Sequence, residues 1–261
     1  MVQLIAALKT GGRYLLGERA AEPIQARWKV SGCVTAALVG IVLYQWVLIQ
    51  TDRRRMAAES PLDPQQIITE YQSRPMVEIP VGEADPRLGP ENAPMQMVVF
   101  SSFQCPGCQT FAHTMSHLRE DFDGQLTIIF KHFPLGKACN PDLKADLHPQ
   151  ACAAARAAEA AQRQGKFWAF HDAMFTEKLG VTDQTLERIA EKIGIDVDQF
   201  NTDRAGDATV AKVKTDIELG NRLGLDATPT VFLNGRPVDV LSLEALEPLI
   251  RHELEHIECE P

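Results

Sequence analysis

The sequence predicts an α/β domain carried behind a single membrane-crossing helix. Three observations predict it. An uncharged apolar run fills residues 30–50, a strand–helix–strand pattern fills 95–130, and a block of helical patterns then gives way to a β-hairpin signal and a last amphipathic helix.

The N-terminal part comes first. Val30 to Gln50 reads VSGCVTAALVGIVLYQWVLIQ, without one charge. As a helix these 21 residues rise about 31 Å, enough for a bilayer core. Trp28 and Trp46 lie toward its ends, where interfacial aromatics collect. A cleaved signal peptide is the rival reading, and a buried soluble helix the plain one. Against cleavage stand the 29 residues ahead of the run and the Asp52-Arg53-Arg54-Arg55 directly after it, where a small-residue cleavage site would belong. Basic residues flank both ends (Arg19, Arg27 and Lys29 against Arg53, Arg54 and Arg55), so charge alone does not orient the span. Cys33 within it counts as a small apolar residue.

Charge is unevenly spread. Residues 1–51 carry five basic and two acidic side chains, while the whole chain has net charge −9. The remainder is therefore strongly acidic, which argues against nucleic acid as a partner. Six cysteines, Cys33, Cys105, Cys108, Cys139, Cys152 and Cys259, suit an oxidising compartment better than the cytosol.

Along the remaining chain, residues 51–75 read as a polar linker with some helix over Asp63 to Gln72. Met76 to Val81 is a short strand candidate, and Gly82 to Pro94, with its prolines and glycines, is a loop. Met95 to Phe100 reads as a buried strand. Phe111, Met115, Leu118 and Phe122 then mark one helix face, and Gln125 to Phe130 is the next strand, giving a βαβ unit with a parallel pair. Phe133 to Leu147 is irregular. Helical patterns follow over Pro149 to Arg163, Lys166 to Thr176, Thr182 to Ile193 and Asp207 to Leu223, the third with a capped start at Thr182. Asn234-Gly235 between Thr230–Leu233 and Arg236–Val240 is a hairpin signal, and Pro237 confines the second of these strands to a sheet edge. Leu241 to Ile257 closes as a helix.

Chemistry concentrates in Cys105-Pro106-Gly107-Cys108, placed where the strand meets the helix. Pro106 suits the first helical position, so Cys105 falls at the N-cap. Free amide N–H groups and the positive end of the helix dipole there favour thiolate. Two intervening residues let Cys108 close onto Cys105, a device for thiol–disulfide exchange. The competing reading is half a zinc site, with His113 and His117 as the nearest further ligands. Their spacing puts them off the apolar stripe, on a wet face, and no metal or cofactor is expected.

Removing the helical block, about 136–225, leaves the thioredoxin arrangement. Three stretches, Ser102 to Cys108, Gly165 to Phe175 (GKFWAFHDAMF) and Thr228 to Gly235 (TPTVFLNG), resemble the DsbA-like family of thiol:disulfide oxidoreductases. Lys131-His132-Phe133-Pro134-Leu135 through Cys139 to Cys152 resembles the subgroup associated with vitamin K epoxide reductase-like membrane proteins. The resemblance implies a thioredoxin-like fold with a helical insertion over residues 76–261, with Cys105 and Cys108 catalytic. It further implies a cis Pro229 packed against the redox pair and Thr228 presenting backbone groups to a bound peptide. Two departures bear on the reduction potential: Gly107 stands where His or a larger residue is common, and Ser102 where an acidic residue is frequent.

Cys139 and Cys152 admit two readings, a second redox pair relaying electrons or a fixed structural disulfide. The structural reading is favoured, because closing a ring of this size stabilises by about 3 kcal/mol. Cys259 is left unpaired, as a free thiol or a dimer link, the free thiol being favoured. His171 and Trp168 read as core or edge residues of their helix. Residues 1–29 are then a cytoplasmic segment and the domain lies in the periplasm, acting on thiol-containing extracytoplasmic proteins. A quinone-linked membrane partner, DsbB-like or vitamin K epoxide reductase-like, would reoxidise it. Net oxidation of substrates is the expected direction, with reduction or isomerisation, or metal delivery through the Cys-x-x-Cys, as alternatives.

Overall fold

The computed structural model describes residues 43–45, 63–176 and 180–257. Nearly all of them belong to the compact unit Pro61–Pro261. Apart from residues 43–45, the membrane-span reading of residues 30–50 falls outside the described residues, as do the N-terminal segment, Cys33 and Cys259. Among the described residues no helix is long and apolar enough to cross a membrane.

A five-stranded mixed sheet forms the centre, in the order β1-β3-β2-β4-β5. β2 (Met95–Ser101) and β3 (Leu126–His132) are parallel neighbours, joined by α2 (Pro106–Asp121). This is the βαβ unit the hydrophobic pattern calls for. β4 (Thr230–Leu233) runs antiparallel to β2, and β5 (Arg236–Val238) antiparallel to β4 at the edge. Pro237 is tolerated there because an edge strand has one side that needs no N–H. Asn234 and Gly235 turn the hairpin with φ of 44° and 81°, the left-handed pair that two-residue hairpins require.

Strand alternation sends side chains to two different layers. Met97, Val99 and Ile128 pack with Phe111, Met115 and Leu118 of α2 and Leu246, Leu249 and Ile250 of α8 (Leu243–Ile257). Val98, Phe100, Ile129 and Phe232 face the other way, against Phe133 and Leu219. Leu219 lies on α7 (Asp207–Arg222), the last helix of the insertion. The others are α3 (Ala151–Arg163), α4 (Phe167–Thr176), α5 (Asp183–Lys192) and α6 (Val197–Ala205). Thr182 caps α5 through a reciprocal bond pair with Thr185, satisfying N–H groups otherwise left open at a helix start.

Three expectations change and one is extended. The helix expected over Asp63 to Gln72 is present as α1 (Pro64–Ser73), but it is part of the domain and not linker: it buries Ile67, Ile68 and Tyr71 in the core shared with α2 and α8, and the Tyr71 hydroxyl donates to the Leu233 carbonyl at 3.1 Å. Met76 to Val81 forms no strand. Its Val77 N–H is taken by the Gly235 carbonyl at 2.9 Å, a single contact with the hairpin turn and no ladder. A two-residue strand instead arises inside the expected loop, β1 (Arg87–Leu88), antiparallel to β3. Finally α6 had no periodic signal: Phe200 is its only buried side chain, so tertiary packing and the Asp196 cap hold it.

Candidate active site

β2 ends at Ser101, and residues 102–104 turn the chain into α2, with the Cys105 N–H donating to the Ser102 carbonyl at 3.0 Å. Cys105 is the N-cap of α2 and Pro106 its first residue. The helix start is thus built as its sequence requires, and it sets the two sulfurs in different surroundings. Both cysteines are unbridged here. Cys105 keeps 8% exposure, whereas Cys108 keeps 1%.

Their hydrogen-bond partners and burial together decide their acidity. The Cys105 pKa is lowered to about 5. A hydrogen bond from the Cys108 thiol is the main cause; burial opposes it, and the Thr228 side chain and the N–H groups of Cys108 and Gly107 add to the lowering. Cys108 is pushed up, first by burial and then by its bond to Cys105, with Ser101 and the Ser102 N–H pulling weakly the other way. One contact at Cys105 runs against the thiolate. Its Sγ lies 3.1 Å from the Thr228 carbonyl, which only the protonated sulfur can satisfy. The several donors outweigh that single acceptor, so the thiolate reading stands.

Thr228–Pro229 is a cis peptide immediately before β4. The loop lies against the redox turn: a Cβ placed on Gly107 would sit 3.2 Å from Pro229 Cδ and 3.7 Å from Cys105 Sγ. Gly107 is therefore not only a missing tuning group. Its lack of a side chain lets the proline loop close over the sulfurs. Cys105, Cys108, Thr228 and Pro229 all meet at this point.

Cys139 and Cys152 are bridged to each other. Their loop reaches the redox turn by two contacts, Ser102 Oγ to His148 Nδ1 at 3.4 Å and the Gln150 N–H to Gln104 Oε1 at 2.7 Å. Gly136 is required at the loop's base, since a Cβ there would approach the His148 carbonyl to 2.7 Å and the Cys152 sulfur to 3.2 Å. His113 and His117 are exposed on α2, apart from the sulfurs. Trp168 bonds the Arg87 carbonyl at 2.9 Å, and His171 is buried among aromatic rings.

The sequence reading missed the surroundings of Cys105. A cleft of about 430 Å³ opens beside it, lined by Phe103, Pro106, Met174, Phe175, Val181 and Ile189 among others. It pairs one thiolate with mixed walls, in which apolar side chains alternate with Gln104, Gln109 and Thr185, contributed by the redox turn and by the α4–α5 region. Only the GKFWAFHDAMF stretch hinted at it, because nothing in the spacing says that α4 folds back onto the turn.

Comparison with known proteins agrees with this architecture. The family model described as Thioredoxin matches residues 82–252. A sodium/proton antiporter, NhaA 1, of Mycolicibacterium gilvum is 36% identical over 172 residues, covering 63% of this chain and 26% of that protein. The chain thus spans about a quarter of the length of such curated relatives. Among solved structures, BdbD from Bacillus subtilis is similar with a TM-score of 0.58 and 22% identity, covering 70% of this chain and 97% of that one. α-DsbA1 of Wolbachia pipientis gives 0.58 and 22%, covering 69% and 95%. With a redox pair at the first helix of a βαβ unit, a cis-proline loop against it, and a family match over most of its length, the chain belongs to the thioredoxin family and has the DsbA-like form of its fold.

Proposed function

We propose that this protein is a membrane-anchored thiol:disulfide oxidoreductase that oxidises the thiols of extracytoplasmic proteins. The observation that carries this reading is the asymmetry of the pair: Cys105 held as thiolate at about 5, Cys108 buried and held as thiol. In the oxidised protein a substrate thiolate attacks Cys105 Sγ, the Cys105–Cys108 bond breaks, and Cys108 departs with the electron pair and gains a proton. A second substrate thiolate then attacks the substrate sulfur of the mixed disulfide. Cys105 leaves as thiolate, the substrate holds the new disulfide, and two electrons have passed to the cysteine pair. A stabilised Cys105 thiolate is a good leaving group, which drives this direction.

The cleft beside Cys105 and the backbone of Thr228 are the surfaces for an unfolded or extended substrate segment. Cys139–Cys152 serves as a fixed brace of the loop behind the turn. Anchoring through residues 30–50, with the domain outside the cytoplasm, is supported by the uncharged run itself and by related sequence lying within antiporters, which work across membranes. It would hold the domain beside a quinone-linked membrane enzyme, DsbB-like or vitamin K epoxide reductase-like, that takes the two electrons away.

The test is the reduction potential of the pair in glutathione buffers, together with oxidation of a reduced dithiol peptide by the oxidised full chain. A potential well above the roughly −270 mV of thioredoxin is expected, with stoichiometric peptide oxidation. A potential at or below that value, with a Cys105 pKa near that of free cysteine, would overturn net oxidation and leave a reductase.

A further inference from the structure

The end of α8 reads His252-Glu253-Leu254-Glu255-His256, two imidazoles four positions apart. At that spacing one helix face presents both rings as metal ligands. Nothing in the redox chemistry uses them. Leu246, Leu249, Ile250 and Leu254 of the same helix turn into the core, which leaves His252 half-buried and His256 exposed on its flank. The two rings lie against each other with centroids 4.1 Å apart. Such closeness suits two neutral rings and not two imidazolium ions, whose like charges would repel.

Their hydrogen bonds fix which nitrogen of each ring is open. His256 Nδ1 lies 2.7 Å from the His252 carbonyl. A carbonyl only accepts, so Nδ1 carries the proton and Nε2 keeps its lone pair. His252 Nε2 lies 2.8 Å from the side-chain amide nitrogen of Gln72, on α1. An amide nitrogen only donates, so this Nε2 also presents a lone pair. Both Nε2 atoms are thus ligand atoms, and the carbonyl bond orients the His256 ring from behind, as the outer partners of metal-bound imidazoles do. Half a turn of the Gln72 amide replaces its nitrogen with Oε1, a third donor atom from the facing helix. The local field favours a cation, because the pair sits at the negative C-terminal end of α8 with Glu253 and Glu255 beside it in the chain. Glu253 faces the Tyr71 hydroxyl of α1, so it is not placed as the base of a hydrolytic zinc centre. Among the described residues no third His, Cys, Asp or Glu completes a cluster. The remaining coordination positions fall to Gln72 and water.

We propose that His252 and His256, with the side chain of Gln72, bind a divalent transition cation that ties α1 to α8. Two imidazoles and an amide oxygen suit zinc, nickel or copper and not calcium or magnesium, which take carboxylate-rich oxygen shells. Ile67, Ile68 and Tyr71 already hold α1 on the core. The cation adds a clamp at its far end, since Gln72 lies in the last turn of that helix. The site is open to solvent, so it loads from the medium without unfolding. It is separate from the sulfur chemistry and does not rest on the oxidoreductase reading.

The probe is zinc chloride, which is redox-silent, added to the full chain with Cys105 and Cys108 oxidised so that their thiols cannot bind it. Titration calorimetry should show one zinc per chain, and the thermal midpoint should rise with zinc concentration. His252→Ala and His256→Ala should each weaken binding by about tenfold or more, and Gln72→Ala by a smaller factor. His256 is exposed, so His256→Ala keeps the test valid if His252→Ala does not fold. Zinc should also slow amide hydrogen exchange along α1 in the wild-type chain and not in Gln72→Ala. Absence of saturable binding below millimolar zinc, or binding that the histidine substitutions leave unchanged, would mean an adventitious ion only and overturn the proposal. Binding that depends on the histidines but leaves α1 exchange unaltered would overturn the tie between the two helices.

Discussion

At the scale of single residues, two sulfurs three positions apart are separated in acidity by where each one sits on the same helix. Cys105 caps the helix and collects donors; Cys108 lies one turn further in and meets the core. Since the Cys108 thiol is the main donor to Cys105, Cys108→Ala should raise the pH midpoint of Cys105 alkylation by about one pH unit or more, while Cys108→Ser, which keeps a donor, should raise it less. The same lowering sets a stability difference with a definite sign. A group whose folded pKa lies below its unfolded value, here about 5 against the ordinary 9.0, stabilises the fold fully above the unfolded value and loses that stabilisation as pH falls toward the folded one. The reduced protein should therefore gain on the oxidised one at alkaline pH, and the difference in their urea midpoints should shrink between pH 9 and pH 5. A constant difference would show that Cys105 is not held as thiolate.

At the scale of elements, the loop between β3 and α3 is pinned at one end by a disulfide and touches the redox turn at the other. The bridge spans 13 residues of sequence, and removing it through a Cys139→Ala/Cys152→Ala double substitution should cost about 2–4 kcal/mol in denaturant unfolding. As a brace and not a relay, its loss should leave oxidation of a reduced dithiol peptide by the Cys105–Cys108 pair in place. Loss of that activity in a folded variant would instead assign the bridge a redox role. Gly136→Ala should destabilise the same loop, because the added methyl meets the His148 carbonyl backbone, which has little freedom to give. A wild-type melting curve from that variant would mean the loop is slacker than its contacts indicate.

At the scale of the whole domain, the insertion is joined to the sheet by four charges, of which Asp85, Lys131 and Asp216 are buried and Lys212 is partly buried. Lys131 of β3 bonds both oxygens of Asp85 at 2.7 Å, and Lys212 of α7 bonds Asp216 at 2.6 Å and Asp85 at 3.0 Å. Burial alone would raise the Asp85 pKa, but Lys212 and Lys131, with the Gly82 N–H, bring it below its ordinary value. Asp85→Asn should cost about 3–5 kcal/mol, since it leaves the two ammonium groups with one carboxylate between them. By sign, a carboxylate with a lowered folded pKa stabilises above its unfolded value and stops doing so as pH falls through the folded one. Acid unfolding of the native domain should accordingly begin lower in pH than the loss of solvent-exposed carboxylate charge. For the full chain, a reporter that works only after export, fused after residue 257, should be active. Activity only from a cytoplasm-dependent reporter would reverse the proposed orientation.

Much of this was legible in the sequence, for definite reasons. Local periodicity and turn chemistry are written in neighbouring residues, so β2, α2, β3, the Asn234–Gly235 hairpin and the Cys105–Cys108 corner could be read directly. The edge position of β5 followed from one proline without an N–H. Tertiary structure alone decided the rest. A polar-looking segment such as α1 becomes core because three of its side chains find a groove between α8 and the hairpin. A short stretch such as α6 becomes helix because Phe200 is buried, not because its pattern repeats. The cleft beside Cys105 and the charge cluster at Asp85 each join residues far apart in the chain. Their chemistry depends on distance and exclusion of water, and sequence spacing encodes neither.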